Sequence, residues 1–181
     1  MTRPKIALMY RGLNIQPLRE ALREHPELWN HRTERTAPAD SPHHGLDDIW
    51  PRFADPATMR EDGSHDSIWY PAAEVLPVRD IVFPLMAAVR GEKLGGVLVT
   101  RIKPGQMCRP HTDPGWHARH FDKYAVQIEA DPAQAFHFEG ESLVTAPGDV
   151  YWFDNSHTHW VTNNSPRDRV TMIVCIRTER T

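Results

Sequence analysis

The sequence predicts a mainly β protein: a double-sheet sandwich or jelly roll with a few helices packed on its outside. Three observations carry that prediction. After Gly95-Gly96, short strand-like runs follow one another at 97–102, 124–130, 134–138, 142–145, 150–153, 160–163 and 170–177. Turn residues punctuate them at Pro104-Gly105, Asp131-Pro132, Glu139-Gly140, Pro147-Gly148 and Asn163-Asn164-Ser165-Pro166. Helical periodicity, by contrast, is confined to the first half, and that distribution suits strands forming the core with helices outside.

Taken from the start, residues 17–25 read as a short amphipathic helix. Pro17 stands in its first turn, and Leu18, Ala21 and Leu22 share one face. From Trp29 to Pro77 the periodicity dissolves, yet Trp29, Ile49, Trp50, Phe53, Ile68, Trp69 and Tyr70 are too bulky and apolar for a solvated linker. This segment is expected to form ordered loops packed on the core, and long ordered loops of that kind commonly build a substrate rim. Val78, Ile81, Val82, Leu85, Met86 and Val89 then mark one buried helical stripe ending at Gly91. Pro84 conflicts with the interior of that helix, which must begin late or bend there.

A chain of 181 residues, 40% hydrophobic, can bury one core and would be cramped as two domains. The expectation is a single domain over 1–181, with helices and loops in 1–95 and the strands that carry the site in 96–178. A formal net charge of -3 without a dense Lys/Arg block argues against a nucleic-acid binder. No apolar run approaches the roughly 20 residues that span a bilayer, so the protein is expected to be cytoplasmic, with no membrane partner. Cys108 and Cys175 are the only cysteines, which argues against a disulfide framework. The sequence does not indicate an oligomeric state.

Eleven histidines are many for this length, and their positions decide their meaning. His111 and Asp113 stand two apart at the end of an extended run, where residues i and i+2 share a face. An imidazole and a carboxylate so placed can take adjacent positions on one metal. A second histidine from a later strand would complete a 2-His-1-carboxylate triad, which on Fe(II) leaves positions open for a co-substrate and O2. His159 heads a strand after the tight bend at Asp154-Asn155-Ser156 and meets that need. Arg169, ten residues later, offers a planar fork suited to the far carboxylate of 2-oxoglutarate.

Over roughly Gly96 to Arg177 the sequence resembles the aspartyl/asparaginyl beta-hydroxylase family. The residues that carry the resemblance are His111-Thr112-Asp113-Pro114, then Phe153-Asp154-x-Ser156-x-x-His159-x-Val161-x-Asn163, then Arg169. It implies a double-stranded β-helix, the cupin-like jelly roll. It also implies Fe(II) on His111, Asp113 and His159, with Arg169 holding 2-oxoglutarate. The implied reaction is hydroxylation of a C–H bond on an amino-acid-like small molecule or a peptidyl Asp/Asn-type residue, with release of succinate and CO2. The family adds a second co-substrate anchor, for which this chain offers Lys123 or Arg119. The presence of Asp113 favours hydroxylation over chemistry that needs a vacant ligand position.

Other readings stay open at this level. His157 shares a face with His159 in an extended segment, so a three-histidine cupin with His111, His157 and His159 and no need for 2-oxoglutarate is the main chemical alternative. A non-catalytic metal- or ligand-binding cupin is another. Asp154, Ser156 and Asn163 are expected to shape turns, and Trp152 and Trp160 to sit in the core or a cavity wall. His43, His44 and Arg52 form a polar stretch of open role, in which Arg52, like Arg109, could meet a substrate carboxylate.

Overall fold

The computed structural model describes residues 4–179. Two antiparallel sheets face each other. The larger is built from β1 (Ile6–Tyr10), β2 (Asp47–Ala54), β3 (Ser67–Trp69), β4 (Gly91–Ile102), β6 (Asp122–Glu129), β9 (Val150–Phe153) and β11 (Arg169–Thr178), in the order β1-β9-β6-β11-β4-β2-β3. The smaller contains β5 (Met107–His111), β7 (Gln134–Phe138), β8 (Glu141–Leu143) and β10 (His159–Asn163), in the order β5-β10-β7-β8. This is the expected jelly roll.

The central strand β11 shows why the sequence folds this way. Its alternate residues Val170, Met172, Val174 and Ile176 enter the main core, together with Leu18 and Leu22 of α1 (Gln16–Glu24) and Ile81 and Val82 of α3 (Arg79–Ala88). Its other residues, Arg169, Thr171 and Ile173, line the cavity between the sheets. Strand periodicity thus assigns one face to packing and the other to chemistry. Beneath the smaller sheet, Ala125, Phe136, Phe138, Tyr151 and Phe153 form a second apolar cluster that holds the two sheets together.

The first half departs from the expected helices and loops, because β1, β2, β3 and the start of β4 all join the larger sheet. β2 is disguised by Asp47, Asp48 and Pro51. Both aspartates are buried, and their charges are met by groups distant in sequence: Arg101 and Lys103 on Asp47, and Arg35 on Asp48. Pro51 falls where the β2–β4 register slips between Ile49 and Arg52, an irregularity that tolerates a residue with no N–H. Gly95 and Gly96 do not precede a strand but lie inside β4. A side chain at Gly96 would come within 2.7 Å of the Phe53 ring and one at Gly95 within 3.0 Å of Phe121, so the glycines make room for aromatic cover.

Two further details differ. The helix α3 runs through Pro84 rather than starting there, and it ends with Arg90, not Gly91, in the left-handed region at φ 54°. Gly91 instead begins β4, where a Cβ would meet Ile176 at 2.5 Å. Two short helices that the periodicity did not reveal are α2 (Ala72–Val75) and α4 (Gly115–His120). Among the described residues no helix is long and apolar enough to cross a membrane.

Candidate metal centre and co-substrate pocket

Antiparallel pairing of β10 with β5 sets His159 directly opposite His111. Their rings approach to 4.4 Å between centroids, and Asp113 follows β5 with its Oδ1 3.5 Å from His111 Nε2. One ligand atom from each of the three lies within 4.8 Å of the others. Both histidines use the same local device. Nδ1 of His111 donates to the carbonyl of Arg109 at 2.7 Å, and Nδ1 of His159 donates to the carbonyl of His157 at 2.9 Å. With Nδ1 so engaged, each ring offers Nε2 as the ligand atom. Two imidazole nitrogens and a carboxylate on one side of a cavity fit the donor set for non-haem Fe(II).

Asn155, which the motif reading passed over, steadies the carboxylate. Its backbone carbonyl accepts from the Asp113 N–H at 3.1 Å, and its side-chain amide reaches Asp113 Oδ2 at 3.4 Å. His157 has a half-exposed side chain paired to Asp154 at 3.3 Å, so the three-histidine alternative is not assembled. A second cluster, His43 with Cys108 and His111, is held by the contact of His43 Nδ1 with the Cys108 sulfur at 3.1 Å.

The triad opens into a cavity of about 240 Å³ between the sheets. Arg169 lines it and is only 1% exposed, donating to Thr145 Oγ1 at 3.3 Å and to Tyr151 Oη at 3.2 Å. Among the described residues no carboxylate pairs with this guanidinium. A buried cation held only by two hydroxyls calls for an anion from outside the chain. Tyr151 is legible in principle, since it shares its strand face with Phe153, whereas Thr145 lies in the loop between β8 and β9.

Lys123 lines the same cavity, 3.8 Å from Asp113 Oδ2 and 3.3 Å from the Cys175 sulfur. Burial opposes its charge, but Cys175 and Asp113 outweigh burial and raise its pKa. Arg119 is exposed on α4 and does not line the cavity. The Arg52 guanidinium lies 5.1 Å over the Trp69 ring and bonds the Leu94 carbonyl, and it does not line the cavity. His44 is exposed against the Ala37 carbonyl, and the Arg109 side chain donates to the Ala39 carbonyl. His43 does line the cavity. Asn163 organises the turn before β11 by bonding the Ile102 and Arg167 carbonyls, while Asp154 caps its bend through Ser156. Trp152 packs on the main core and Trp160 stacks on His137.

Burial alone would lower the pKa of His111, but bonding to Asp113, Cys108 and the Arg109 carbonyl lifts it to about 10. For Asp113 burial acts upward, and His111, Lys123 and His159 overcome it to hold the carboxyl well below its usual range. In the metal-free protein the contribution of charged His111 to stability is full below an ordinary histidine pKa of about 6.5 and is lost as pH rises toward its folded value. That of Asp113 is full above about pH 4 and is lost on acidification. A bound metal must displace the His111 proton. Metal affinity should therefore rise by about tenfold per pH unit across the neutral range. Calorimetric titration with Mn(II) in buffers of differing ionisation heat checks this, and a pH-independent affinity would contradict it.

A jelly roll whose cavity gathers two histidines and a carboxylate beside a buried cation has the fold of oxygenases and cupins and a candidate site for one metal ion. The profile of the aspartyl/asparaginyl beta-hydroxylase family matches residues 80–179, and the chain belongs to that family. A prolyl-4-hydroxylase from Pseudomonas putida superposes with a TM-score of 0.54, covering 97% of this chain and 94% of its own at 16% identity. An oxidoreductase of the 2OG-Fe(II) oxygenase family from Burkholderia pseudomallei gives 0.53, covering 75% and 67% at 13% identity. At these identities the likeness is one of fold. No curated protein matches the sequence. Family membership supports an oxygenase of the hydroxylase type, and the solved structures share its fold.

Proposed function

We propose that the protein is an Fe(II)- and 2-oxoglutarate-dependent dioxygenase that hydroxylates an unactivated C–H of an amino-acid-like small molecule or a peptidyl residue. The observation that carries this reading is Arg169, a buried cation without a carboxylate partner among the described residues, lining the same cavity as the triad. His111, Asp113 and His159 would hold the iron, whose bound chemistry couples O2 and 2-oxoglutarate to C–H oxidation with release of succinate and CO2. Arg169 receives the distal carboxylate of 2-oxoglutarate, with Tyr151 and Thr145 fixing the fork. Lys123 is the second anchor, supplying positive charge beside Asp113 for the carboxylate nearer the metal. Leu98, Ile173, Phe136 and Val161 wall the cavity and limit water around the reacting carbon.

The test is direct. Anaerobic addition of Fe(II) and then 2-oxoglutarate should produce a visible charge-transfer band, and admission of O2 should yield succinate. Correctly folded protein that shows neither would rule the reading out.

A further inference from the structure

The cavity holds a third cation that the roles above leave unused. Arg35 comes from the segment between α1 and β2, outside the residues that match the family, and it lines the cavity. Its guanidinium is clamped from one side. Nε donates to Asp48 Oδ2 at 2.8 Å, while Nη2 donates to Asp48 Oδ1 at 2.8 Å and to Thr100 Oγ1 at 2.6 Å. Asp48 is fully buried, and Thr100 itself donates to Asp48 Oδ1 at 2.8 Å, so the fork has little freedom. Among the described residues only the Nη1 edge lacks a close partner. It meets His43 Nε2 at 3.5 Å, the outer limit of a hydrogen bond. The His43 ring in turn packs edge-on against His111, with centroids 4.9 Å apart, which sets the open edge beside the metal ligands.

Charge balance indicates what that edge would receive. Iron, Asp113, the two carboxylates of 2-oxoglutarate and Arg169 cancel, as do Arg35 and Asp48, and Lys123 leaves the loaded cavity with one positive charge. An occupant with a net charge of -1 from one carboxylate neutralises it, whereas its amide does not. His117 of α4 also lines the cavity.

We propose that Arg35 anchors a carboxylate of the primary substrate, so that the protein selects an acid over its amide. This rests on the hydroxylase reading above and deepens it. The test uses the full-length protein with Fe(II) and probe pairs in which each acid is matched to its own amide. N-acetyl methylamides of Asp and Asn, and of Glu and Gln, present the acid as a side chain; N-acetyl amino acids and their carboxamides present it at the α-carbon. The first readout is stimulation of 2-oxoglutarate turnover by each probe. The second is the 2-oxoglutarate dissociation constant, measured anaerobically from the charge-transfer band.

An acid probe should stimulate turnover and its amide should be at least about tenfold weaker; Arg35→Gln should raise the acid's half-saturating concentration about 10- to 100-fold, while 2-oxoglutarate binding shifts less than about twofold. Arg35→Gln strands Asp48, so Arg35→Gln combined with Asp48→Asn provides a variant without a buried unpaired carboxylate. Amides that equal their acids, acids that all fail to stimulate, or a probe response indifferent to both variants would overturn the proposal. So would a large loss of 2-oxoglutarate affinity, which would assign Arg35 to the co-substrate. Absence of the charge-transfer band in the unaltered protein would instead remove the hydroxylase reading.

Discussion

Replacing His159 with alanine is expected to bring succinate production to background and to weaken Fe(II) binding by more than about 100-fold, since loss of even an outer partner of a metal ligand costs about 10- to 100-fold. His159 is the ligand most fixed by the fold. It is 4% exposed and pairs with His111 on β5 and Phe138 on β7, and its ring stacks on Phe136 at 5.6 Å. Removing the ring leaves a gap among Phe136, Phe138 and Phe153, so a stability loss of about 1–3 kcal/mol should accompany the loss of metal. His157→Ala, two residues away and half-exposed, should change neither quantity. Metal titration and succinate assays on both variants check this, and retained turnover in His159→Ala would contradict the assignment.

Arg169→Met carries the second large effect, and its two halves have opposite signs. Loss of a buried, hydrogen-bonded charge partner costs about 2–5 kcal/mol, which converts to a rise of roughly 30- to several-thousandfold in the 2-oxoglutarate requirement. Without co-substrate, however, the native guanidinium is a buried charge with two hydroxyl partners, and the flexible apolar Met relieves that burden. The metal-free variant is therefore expected to melt no lower than the unaltered protein and to gain no stability from 2-oxoglutarate. Thermal melts with and without 2-oxoglutarate, together with charge-transfer titration, measure both halves. An unchanged 2-oxoglutarate requirement would contradict the anchor, and a large drop in melting temperature would contradict a net cost of burying the unpaired charge.

Much of this site was legible in the sequence because local rules fix it. The strands of the second half announce themselves through alternation and turn residues, and His111 and Asp113 both reach one cavity, although Asp113 lies past the end of β5 and is held there by the Asn155 carbonyl. β2 was hidden because Asp47 and Asp48 resemble loop residues until Arg101, Lys103 and Arg35 arrive from elsewhere in the chain. The register slip near Pro51 also defeats parity. Ile49 packs in the main core, so simple alternation would turn Arg52 into the cavity, yet the irregularity returns it to the outside over Trp69. Arg35 belongs to no motif, and only its clamp by Asp48 and Thr100 makes it a site residue. Pattern reading finds what the chain positions locally and misses what a distant partner positions.

The hydrogen bonds from His111 and His159 to the carbonyls of Arg109 and His157 end on peptide groups, two residues back in each case. The alignment of both metal ligands is thus insulated from mutation of the side chains that supply those carbonyls. Positions 109 and 157 can be randomised together in a search for altered substrate preference while the tautomers of both ligands are preserved. The chain carries adjustable positions immediately beside its least adjustable ones.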